Sequence, residues 1–350
     1  MSTVHHVYVG AVRSTEGGRG GVFRQAVGSQ RWDALDDGLP DGAEVHAITV
    51  DRSNPDAVWV ATTKGAFRSR NRGDRWERLA LPDEDTDIWS ITVHPADPRT
   101  IYAGYGPAGV YRSDDGGDHW KKLPDPKLPD RVHMAFPCRV MRLDVDPAEP
   151  DFVYACLEAN GAMRSRDRGE SWEDCTADLI RFCEEPKYRS RIGSQTEIEG
   201  MLDGHALACS AAAPGTVFLA NRMGLFRSED RGAHWQDVDI GRFSAMSYGR
   251  DLRVSPHDPK VLYAALSPAF RSSDGAIYCS GDVGKTWERF DHGPKAEATM
   301  MGVTVNPRDA WQVYGVTKAG QVFGTQDGGI SWTERRLPAG VGDCYAIACG

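Results

Sequence analysis

The sequence predicts an all-β protein, a seven-bladed β-propeller of four-stranded antiparallel blades whose closing blade is shared by the N- and C-termini. Three observations predict this fold. A short polar loop ending in tryptophan recurs seven times, short β-branched and aromatic runs precede each copy, and the last segment of the chain complements the first. Such units, spaced along nearly all of the 350 residues, are typical of repeat architectures, which grow by adding units.

The clearest copy of the loop runs from Ser113 to Trp120 and has the skeleton Ser-x-Asp-x-Gly-x-x-Trp. The Ser and Asp oxygens can accept backbone N–H groups, the Gly supplies a positive φ, and the Trp offers a large apolar plate. The copy ending at Trp32 keeps only the tryptophan and the spacing. The seven tryptophans, at intervals of 44, 44, 52, 63, 52 and 45 residues, are Trp32, Trp76, Trp120, Trp172, Trp235, Trp287 and Trp332.

Strands precede every loop, and turns rich in Pro, Asp and Gly separate them. Four strands per unit is typical of propeller blades. The predicted strands are Val45–Val50, Val58–Ala61 and Ala66–Ser69 in the first full unit, Trp89–Val93, Ile101–Gly104 and Val110–Ser113 in the second, and Met141–Val145, Val153–Cys156 and Ala162–Ser165 in the third; later units begin at Ala206, Leu252 and Val303.

The two ends of the chain complete one blade between them. The segment Tyr345–Cys349 matches the first strand of a blade but has no blade after it, whereas Val7 to Trp32 matches later strands and lacks a first one. We therefore predict that Tyr345–Cys349 pairs with Val7–Gly10 and closes the ring without a free sheet edge. Residues 1–350 are predicted to form this single propeller.

Connectivity assigns the loops to two faces. The turns between first and second strands and the tryptophan loops lie on one face, which we call the turn face. The second-to-third-strand loops and the links between blades lie on the opposite face, which we call the link face. Loop length varies most on the link face, and variable loops on a rigid scaffold commonly carry function. The longest insert, residues 173–204, is placed on this ligand-side face and is expected to contain a short helical turn.

Composition narrows the function classes. The formal net charge of −9 and the pI near 5.6 argue against a nucleic-acid partner. No apolar run approaches the roughly 20 residues needed to cross a bilayer, so no membrane partner is expected. The start lacks the pattern of a secretory signal, and the eight cysteines are scattered without a CxxC pair. A reduced, cytoplasmic location is therefore expected.

Aligning the seven first strands on their inward apolar residue places two tiers of side chains at the mouth of the central channel. The tier two residues upstream of the apolar residue holds Tyr345, His46, Trp89, Met141, His205, Arg250 and Met301. The tier two residues further up holds Asp343, Glu44, Asp87, Arg139, Asp203, Tyr248 and Thr299. So many charged and aromatic groups at one opening indicate either a ligand pocket or a solvated lining held by mutual ion pairs.

The pocket interpretation gives these residues roles. His46, His205, Asp87, Glu44 and Asp203 are the candidate catalytic residues, because carboxylates beside imidazoles can act as general acid and base. Arg139 and Arg250 could hold a carboxylate or phosphate, and Trp89, Tyr248 and Tyr345 complete the candidate substrate-binding set. No cofactor is required. His46 and His205 could hold a divalent metal, but they come from different blades, so no metal ligands are assigned.

The tryptophan loop resembles the Asp-box, also called the BNR repeat, of sialidase-like and related β-propellers. The resemblance covers nearly the whole chain and implies architecture, since the Asp-box is usually remote from an active site. Typical sialidases differ in having six blades, an arginine triad and a Phe-Arg-Ile-Pro sequence. That sequence is absent here, and Phe23-Arg24 and Phe67-Arg68 belong to the blade repeat.

Other propellers are similar in repeat pattern and imply different functions. Xyloglucan-degrading hydrolases have seven-bladed Asp-box propellers but place catalytic carboxylates in a cleft between two of them, and this sequence carries the repeats of one. Photosystem assembly factors and sortilin-type receptors bind proteins or peptides without catalysis. Two hypotheses follow. The first is a hydrolase or lyase acting on a small polar or anionic, sugar-like molecule at the channel mouth. The second is a non-catalytic propeller that docks a protein partner on its link face.

Overall fold

The computed structural model describes residues 4–14, 17–129, 131–132, 136–188 and 197–350, with the side chain of Glu197 left out. Within these residues the chain forms seven four-stranded antiparallel sheets. In each sheet the first strand of the unit lies innermost, and every inner strand contacts the inner strands of the two neighbouring sheets. The predicted seven-bladed propeller is confirmed.

The strands follow the predicted units. In blades 1 to 3 they begin or end within one residue of the predicted bounds, whereas the inner strands of blades 4, 5 and 6 begin two, four and three residues before the predicted starts at Ala206, Leu252 and Val303. Those in the N-terminal part are β1 (His6–Val12), β2 (Gly21–Ala26) and β3 (Asp33–Ala34). Blade 1 has β4 (Val45–Val50), β5 (Val58–Thr62), β6 (Gly65–Ser69) and β7 (Glu77–Arg78); blade 2 has β8 (Ile88–Val93), β9 (Ile101–Tyr105), β10 (Gly109–Ser113) and β11 (Lys121–Lys122); blade 3 has β12 (Val140–Val145), β13 (Val153–Leu157), β14 (Gly161–Ser165) and β15 (Glu173–Asp174).

The remaining blades repeat the pattern. Blade 4 has β16 (Gly204–Cys209), β17 (Val217–Asn221), β18 (Leu225–Ser228) and β19 (Gln236–Asp237); blade 5 has β20 (Tyr248–Val254), β21 (Leu262–Ser267), β22 (Ala276–Ser280) and β23 (Glu288–Arg289); blade 6 has β24 (Met300–Val305), β25 (Val313–Thr317), β26 (Gln321–Thr325) and β27 (Thr333–Arg336); β28 is Asp343–Cys349.

The closing blade, blade 7, has the strand order β28-β1-β2-β3. Its inner strand pairs antiparallel with β1 in the register Val7↔Cys349, Tyr8↔Ala348, Val9↔Ile347 and Gly10↔Ala346. The predicted pairing of the two chain ends is therefore confirmed residue by residue. It leaves no inner strand of the ring without a neighbour on each side.

The hydrophobic core is divided into seven clusters in the described part of the chain, each between two neighbouring blades. The cluster between blades 1 and 2, for example, packs Trp59 and Ala61 against Ile88 and Tyr111. A blade is a thin sheet that can bury apolar side chains on both faces only when a blade lies on each side. The core therefore depends on the ring being complete.

The tryptophan loops satisfy their own backbone groups as the sequence predicts. In the clearest copy Ser113 Oγ accepts the N–H of Gly117 at 2.8 Å, and Asp115 Oδ1 accepts the N–H of His119 at 2.9 Å. Gly117 has φ +93°, in the region that favours glycine. Trp76 and Trp235 extend into the interface with the preceding blade and donate their indole N–H to the carbonyls of Leu35 and Cys175.

Arginines tie neighbouring blades together on the turn face. The residue just before the loop serine reaches into the next blade's loop: Arg68 Nη1 donates to the Gly116 carbonyl at 2.6 Å, and Arg112 Nη1 to the Arg168 carbonyl at 2.9 Å. Both side chains are buried, and a guanidinium carries enough donors to serve several loop acceptors at once. The loops thus link the blades as well as ending them.

Helix is confined to short segments in the links. The link between blades 3 and 4 contains α1 (Ala177–Phe182), a 3₁₀ turn at Pro186–Tyr188 and α2 (Glu197–Leu202), which bears out the helical turn expected there. A second 3₁₀ turn, Ile240–Arg242, precedes blade 5. None of the helices in the described residues is long and apolar enough to cross a membrane. All eight cysteines are free thiols.

Deleting residues 343–350 should open the ring. The segment pairs with β1, contacts β4 and β24, and buries Ala346, Ile347 and Cys349, so we expect a loss of about 5 kcal/mol or more of unfolding free energy. Thermal and urea unfolding of the truncated chain measure it, and the eight-residue peptide added in trans should restore part of the loss. A truncated chain that melts like the intact one would contradict ring closure.

Ser113→Ala should destabilise the propeller by about 1–3 kcal/mol, because it removes the buried acceptor of the Gly117 N–H. Ser29→Ala is the matched control. Ser29 lies in the degenerate copy, and among the described residues its hydroxyl accepts only the exposed N–H of Arg31, so its loss should change urea unfolding little. Equal effects of the two substitutions would show that the loop serine is not a structural acceptor.

Candidate functional site

A β-bulge interrupts the inner strand of every blade at the same height. In β4 the pairs Val45↔Thr62 and Ala47↔Ala61 leave His46 unpaired, and the same shift of one residue occurs in each inner strand. The seven unpaired residues are His46, Trp89, Met141, His205, Arg250, Met301 and Tyr345. They are the predicted inner tier of the channel mouth, and we call them the bulge ring.

The bulge changes which side chains of the inner strand share a face. An extra residue re-aims its side chain and breaks the two-residue period of the strand. Residues two positions upstream therefore need not share a face with the ring residue, although the sequence analysis assumed that they do. Asp87, Arg139, Asp203 and Tyr248 do contact ring residues or their partners, as described below. Thr299 instead donates its hydroxyl to the backbone carbonyl of Phe270, so the outer tier is only partly assembled.

The first cluster is a stack on blades 1 to 3. The His46 ring lies on Trp89, with ring centroids 3.7 Å apart and planes 15° apart. The guanidinium carbon of Arg139 lies 4.2 Å from the Trp89 centroid and 4.5 Å from that of Phe136. Arg139 Nη1 also donates to Glu158 Oε2 at 2.8 Å. Cation–π contacts with two rings and an ion pair therefore hold Arg139 in place.

Asp87 joins this stack at its other end. Its Oδ2 accepts the indole N–H of Trp89 at 2.8 Å, and its Oδ1 lies 3.3 Å from His46 Nδ1. His46 Nδ1 also lies 3.0 Å from the backbone oxygen of Ile88, to which it donates. Because Nδ1 carries that proton, the neutral imidazole presents the lone pair of Nε2. Burial, with smaller effects of Arg139 and Arg250, lowers the pKa of His46 to about 4.

The second cluster lies on blades 4 and 5. His205 Nδ1 faces the Gly249 carbonyl at 2.7 Å, and its Nε2 lies 3.2 Å from Asp203 Oδ2. The ring centroids of His205 and Tyr248 are 5.0 Å apart. Asp203 also accepts Arg222 Nε. Burial alone would raise the pKa of Asp203, but His205 and the guanidiniums of Arg222 and Arg250 outweigh it and lower this pKa to about 2.

Arg250 spans the gap between the clusters. Its guanidinium carbon lies 5.4 Å from the Tyr345 ring centroid, so it reaches from blade 5 to blade 7. Within the described residues it makes no hydrogen bond and no ion pair. Its charge nevertheless lowers the pKa values of His46, Asp203 and Glu158. An arginine that is held by one aromatic face retains its donors for an anion.

The structure does not bring the predicted catalytic residue Glu44 into either cluster, and the described residues do not form a metal-ligand group. Glu44 lies outside both clusters, and its carboxylate has no hydrogen bond or ion pair with the described residues. Its backbone is held by Thr63, whose Oγ1 accepts the Glu44 N–H at 3.3 Å and whose N–H donates to the Glu44 carbonyl at 3.1 Å. Among all the described residues no group of three or more His, Cys, Asp or Glu side chains is arranged to hold a metal ion. His46 and His205 each direct Nδ1 to the carbonyl that precedes the next blade's bulge.

Sequence reasoning missed Glu158 and Arg222, which hold Arg139 and Asp203. Both residues directly follow the second strand of their blade, after β13 and β17 respectively. The alignment considered first strands only. Aligning the ends of second strands in the same way would have found this position, which also holds Lys318, whose Nζ lies 3.1 Å from Asp343 Oδ2.

A depression of about 840 Å³ opens on the link face beside the stack. Its lining includes Asp83, Asp87, Tyr105, Asp125, Phe136 and Glu158. Burial raises the pKa values of both Asp87 and Glu158, and the charge of Asp203 adds to the shift of Glu158. Two carboxyl groups with raised pKa values on one wall are candidates for general acid and base.

These features define a seven-bladed β-propeller with a charged, aromatic channel mouth on its link face, and comparison with known proteins supports a sialidase-like, xyloglucanase-like propeller. Residues 64–195 match the Sortilin-Vps10 family, described as sortilin, neurotensin receptor 3. A curated xyloglucanase of Paenibacillus sp is 26% identical over 347 residues, covering 83% of this chain and 31% of the relative. The chain thus spans about a third of that relative's length.

Solved structures share the fold. The GH74 xyloglucanase of Xanthomonas campestris is similar with a TM-score of 0.64 and 18% identity, covering 88% of this chain and 47% of that chain. YCF48 bound to D1 peptide is similar with a TM-score of 0.54 and 16% identity, covering 85% of this chain and 83% of that chain. At such identities the likeness concerns architecture.

His46→Gln should make the protein less sensitive to mild acid. The folded-state pKa of His46, about 4, lies below its ordinary value of 6.5, so the stability that neutral His46 retains above pH 6.5 is lost as the pH falls toward 4. Between pH 7 and pH 5 this loss is about 2 kcal/mol, and the glutamine variant should not show it. Urea unfolding at both pH values measures the difference.

His119→Gln is the control for this pH dependence. His119 is exposed, and its hydrogen bond to Asp115 raises its pKa, so its removal should leave the loss of stability between pH 7 and pH 5 undiminished. If His46→Gln follows the wild-type pH profile, the imidazole is not buried in its neutral form.

Proposed function

We propose that this chain binds a small polar or anionic, sugar-like molecule at the channel mouth on the link face and cleaves it as a hydrolase or lyase. The observation that carries the proposal is the placement of Asp87 and Glu158 on the wall of one depression beside the bulge ring, each with a raised carboxyl pKa. Glycoside cleavage commonly uses two such carboxyl groups, one protonated and one ionised.

The two carboxyl groups have environments suited to different roles. Burial and the negative charge of Asp203 raise the pKa of Glu158 and outweigh the opposing ion pair with Arg139, so we assign Glu158 as the acid that protonates the leaving oxygen. Asp87 accepts the Trp89 indole N–H at 2.8 Å, which favours its ionised form, so we assign it as the base or nucleophile. Environments that push two pKa values apart often mark such pairs.

Arg250 is assigned to the anionic group of the substrate. It makes no ion pair in the described part of the chain, and its guanidinium carbon lies 5.4 Å from the Tyr345 ring centroid. Arg139 is held between two rings and Glu158, so we assign it to positioning of Glu158 rather than to direct binding. His46, His205, Trp89, Tyr248 and Asp203 complete the polar mouth around these groups.

The names of the relatives favour a sugar-like substrate. Xyloglucanases are similar in sequence over most of this chain, but only over 31% of their own length in the case of the Paenibacillus protein. The substrate is therefore part of the proposal, as is the expected cytoplasmic location.

A protein-docking function is the second candidate. YCF48, which matches over 83% of its own length, was solved with a bound D1 peptide. The depression beside the stack also carries Asp83, Asp85 and Asp125, so a basic peptide would suit its charge. On this alternative the carboxyl groups bind cationic side chains and no covalent step takes place.

Glu158→Gln should lower kcat by about 10²–10⁴-fold and leave KM within a small factor, since it removes the proton donor and keeps the shape of the side chain. The substrates to screen are xyloglucan oligosaccharides, aryl glycosides and oligosaccharides of sugar acids. Arg250→Met should instead raise KM for the anionic substrates alone. The matched control, Glu77→Gln, alters an exposed carboxylate on β7 and should leave both constants unchanged.

Either of two outcomes would contradict the assignment of this chain as a hydrolase or lyase. One is turnover that is equal in Glu158→Gln, Asp87→Asn and the unmodified protein. The other is the absence of turnover with all substrate classes together with saturable binding of a basic peptide that Asp87→Asn weakens. The second outcome would establish the docking function in its place.

A further inference from the structure

The interior of the channel contains a second cavity, on the turn-face side of the bulge ring. Its volume is about 460 Å³, and it extends from His46 and Tyr345 to the turns at Pro95 and Pro256. Pockets of a few hundred Å³ can hold small molecules. The proposed function uses only the link-face end of the channel, so this cavity has no role in it.

The Asp251 carboxylate accepts four hydrogen bonds in the cavity wall. It accepts Arg142 Nη2 at 2.9 Å and Arg253 Nε at 3.2 Å. It also accepts the backbone N–H groups of Leu252 at 3.0 Å and Val303 at 3.2 Å. A carboxylate offers about four lone-pair sites, so Asp251 has no capacity left. Two guanidiniums thus share one carboxylate, and their group retains a positive charge.

Three guanidiniums at this cavity have unused donors. Each carries five N–H groups. Within the described residues, the guanidiniums of Arg142 and Arg253 make only the bonds to Asp251, and that of Arg52 makes none. Arg142 Nε is buried without a partner. Burial lowers the pKa of Arg142, and the positive charge of Arg253 adds to this shift.

Asp144 keeps two of its lone-pair sites and Asp51 Oδ2 is unoccupied within the described residues, so the other polar groups of the wall supply fewer free acceptor sites than the three guanidiniums have unused N–H groups. Asp144 accepts the N–H groups of Cys209 at 2.8 Å and Val145 at 3.0 Å, and burial raises its pKa. The hydroxyls of Thr49 and Thr92 donate to carbonyls of the next blade. Asp51 Oδ1 is occupied by its own turn. The wall therefore has an excess of donors over free acceptors.

We propose that this cavity is a second ligand site, in which Arg52, Arg142 and Arg253 bind a small oxyanion group, a phosphate, sulfate or carboxylate. Guanidinium groups match the geometry of these groups and bind them by charge-assisted hydrogen bonds. The anion can be inorganic or can belong to a small organic molecule, since the cavity exceeds the size of one phosphate. This site does not depend on the chemistry proposed for the link face.

Calorimetric titration at low ionic strength tests the proposal, with inorganic phosphate, glucose 6-phosphate and citrate as separate ligands. Arg253→Gln should weaken binding about tenfold or more, as expected for the loss of a charge-assisted contact. Arg52→Ala should also weaken binding. This variant should fold like the wild type, because the Arg52 side chain makes no hydrogen bond or ion pair with the described residues. Arg75→Ala, an exposed arginine remote from the cavity, is the matched control and should bind like the wild type.

The comparison among ligands separates the two sources of anion. Tighter binding of inorganic phosphate than of glucose 6-phosphate and citrate indicates an inorganic ion. Tighter binding of either organic ligand than of phosphate indicates a metabolite-like molecule. Either result supports the site if Arg253→Gln weakens it. The proposal is overturned if no ligand binds at about 10 mM, or if Arg253→Gln and Arg52→Ala bind as the wild type does. It is also overturned if Arg250→Met alone abolishes binding, because the anion would then lie at the link-face mouth.

Discussion

The pairing of β28 with β1 is the contact on which the rest of the propeller depends. It joins the two ends of the chain in one sheet and places β28 against both β4 and β24. Each of the seven apolar clusters lies between two blades, so a missing neighbour would expose the faces on both sides of the gap. Closure of the ring is therefore a condition for burying the core.

The bulges place the residues of the bulge ring at one height in the inner strands of this closed ring. Each adds one residue to an inner strand and aims it at the channel, and the carbonyl just before a bulge becomes available to the neighbouring blade. His46 and His205 use the same geometry, donating Nδ1–H to the carbonyls of Ile88 and Gly249. These histidines thus hold adjacent inner strands together, and Nε2 of His205 lies beside Asp203 Oδ2 at 3.2 Å. Structural and chemical roles coincide at these positions.

Buried charges distinguish this channel from a simple solvated pore. The ion pairs Arg139–Glu158, Asp203–Arg222 and Arg142–Asp251 lie at hydrogen-bond distance, with buried or partly buried carboxylates and partly exposed guanidiniums. Such groups give up hydration, and ion pairing offsets that cost only in part. Arg250 and Arg52 remain without counter-ions in the described residues, one toward each end of the channel.

The sequence by itself determined the fold, the number of blades, the closing pair and the positions of the inner tier, because these follow from a repeat whose spacing and turn chemistry are local. Glu158, Arg222 and the stack of His46, Trp89, Arg139 and Phe136 were decided only by the tertiary structure. They join residues of different strands and blades, and the bulge that aims them is visible only when two strands are paired. Local periodicity fixes which residue lies at which height in a strand. Which side chains then meet across the channel depends on the ring geometry.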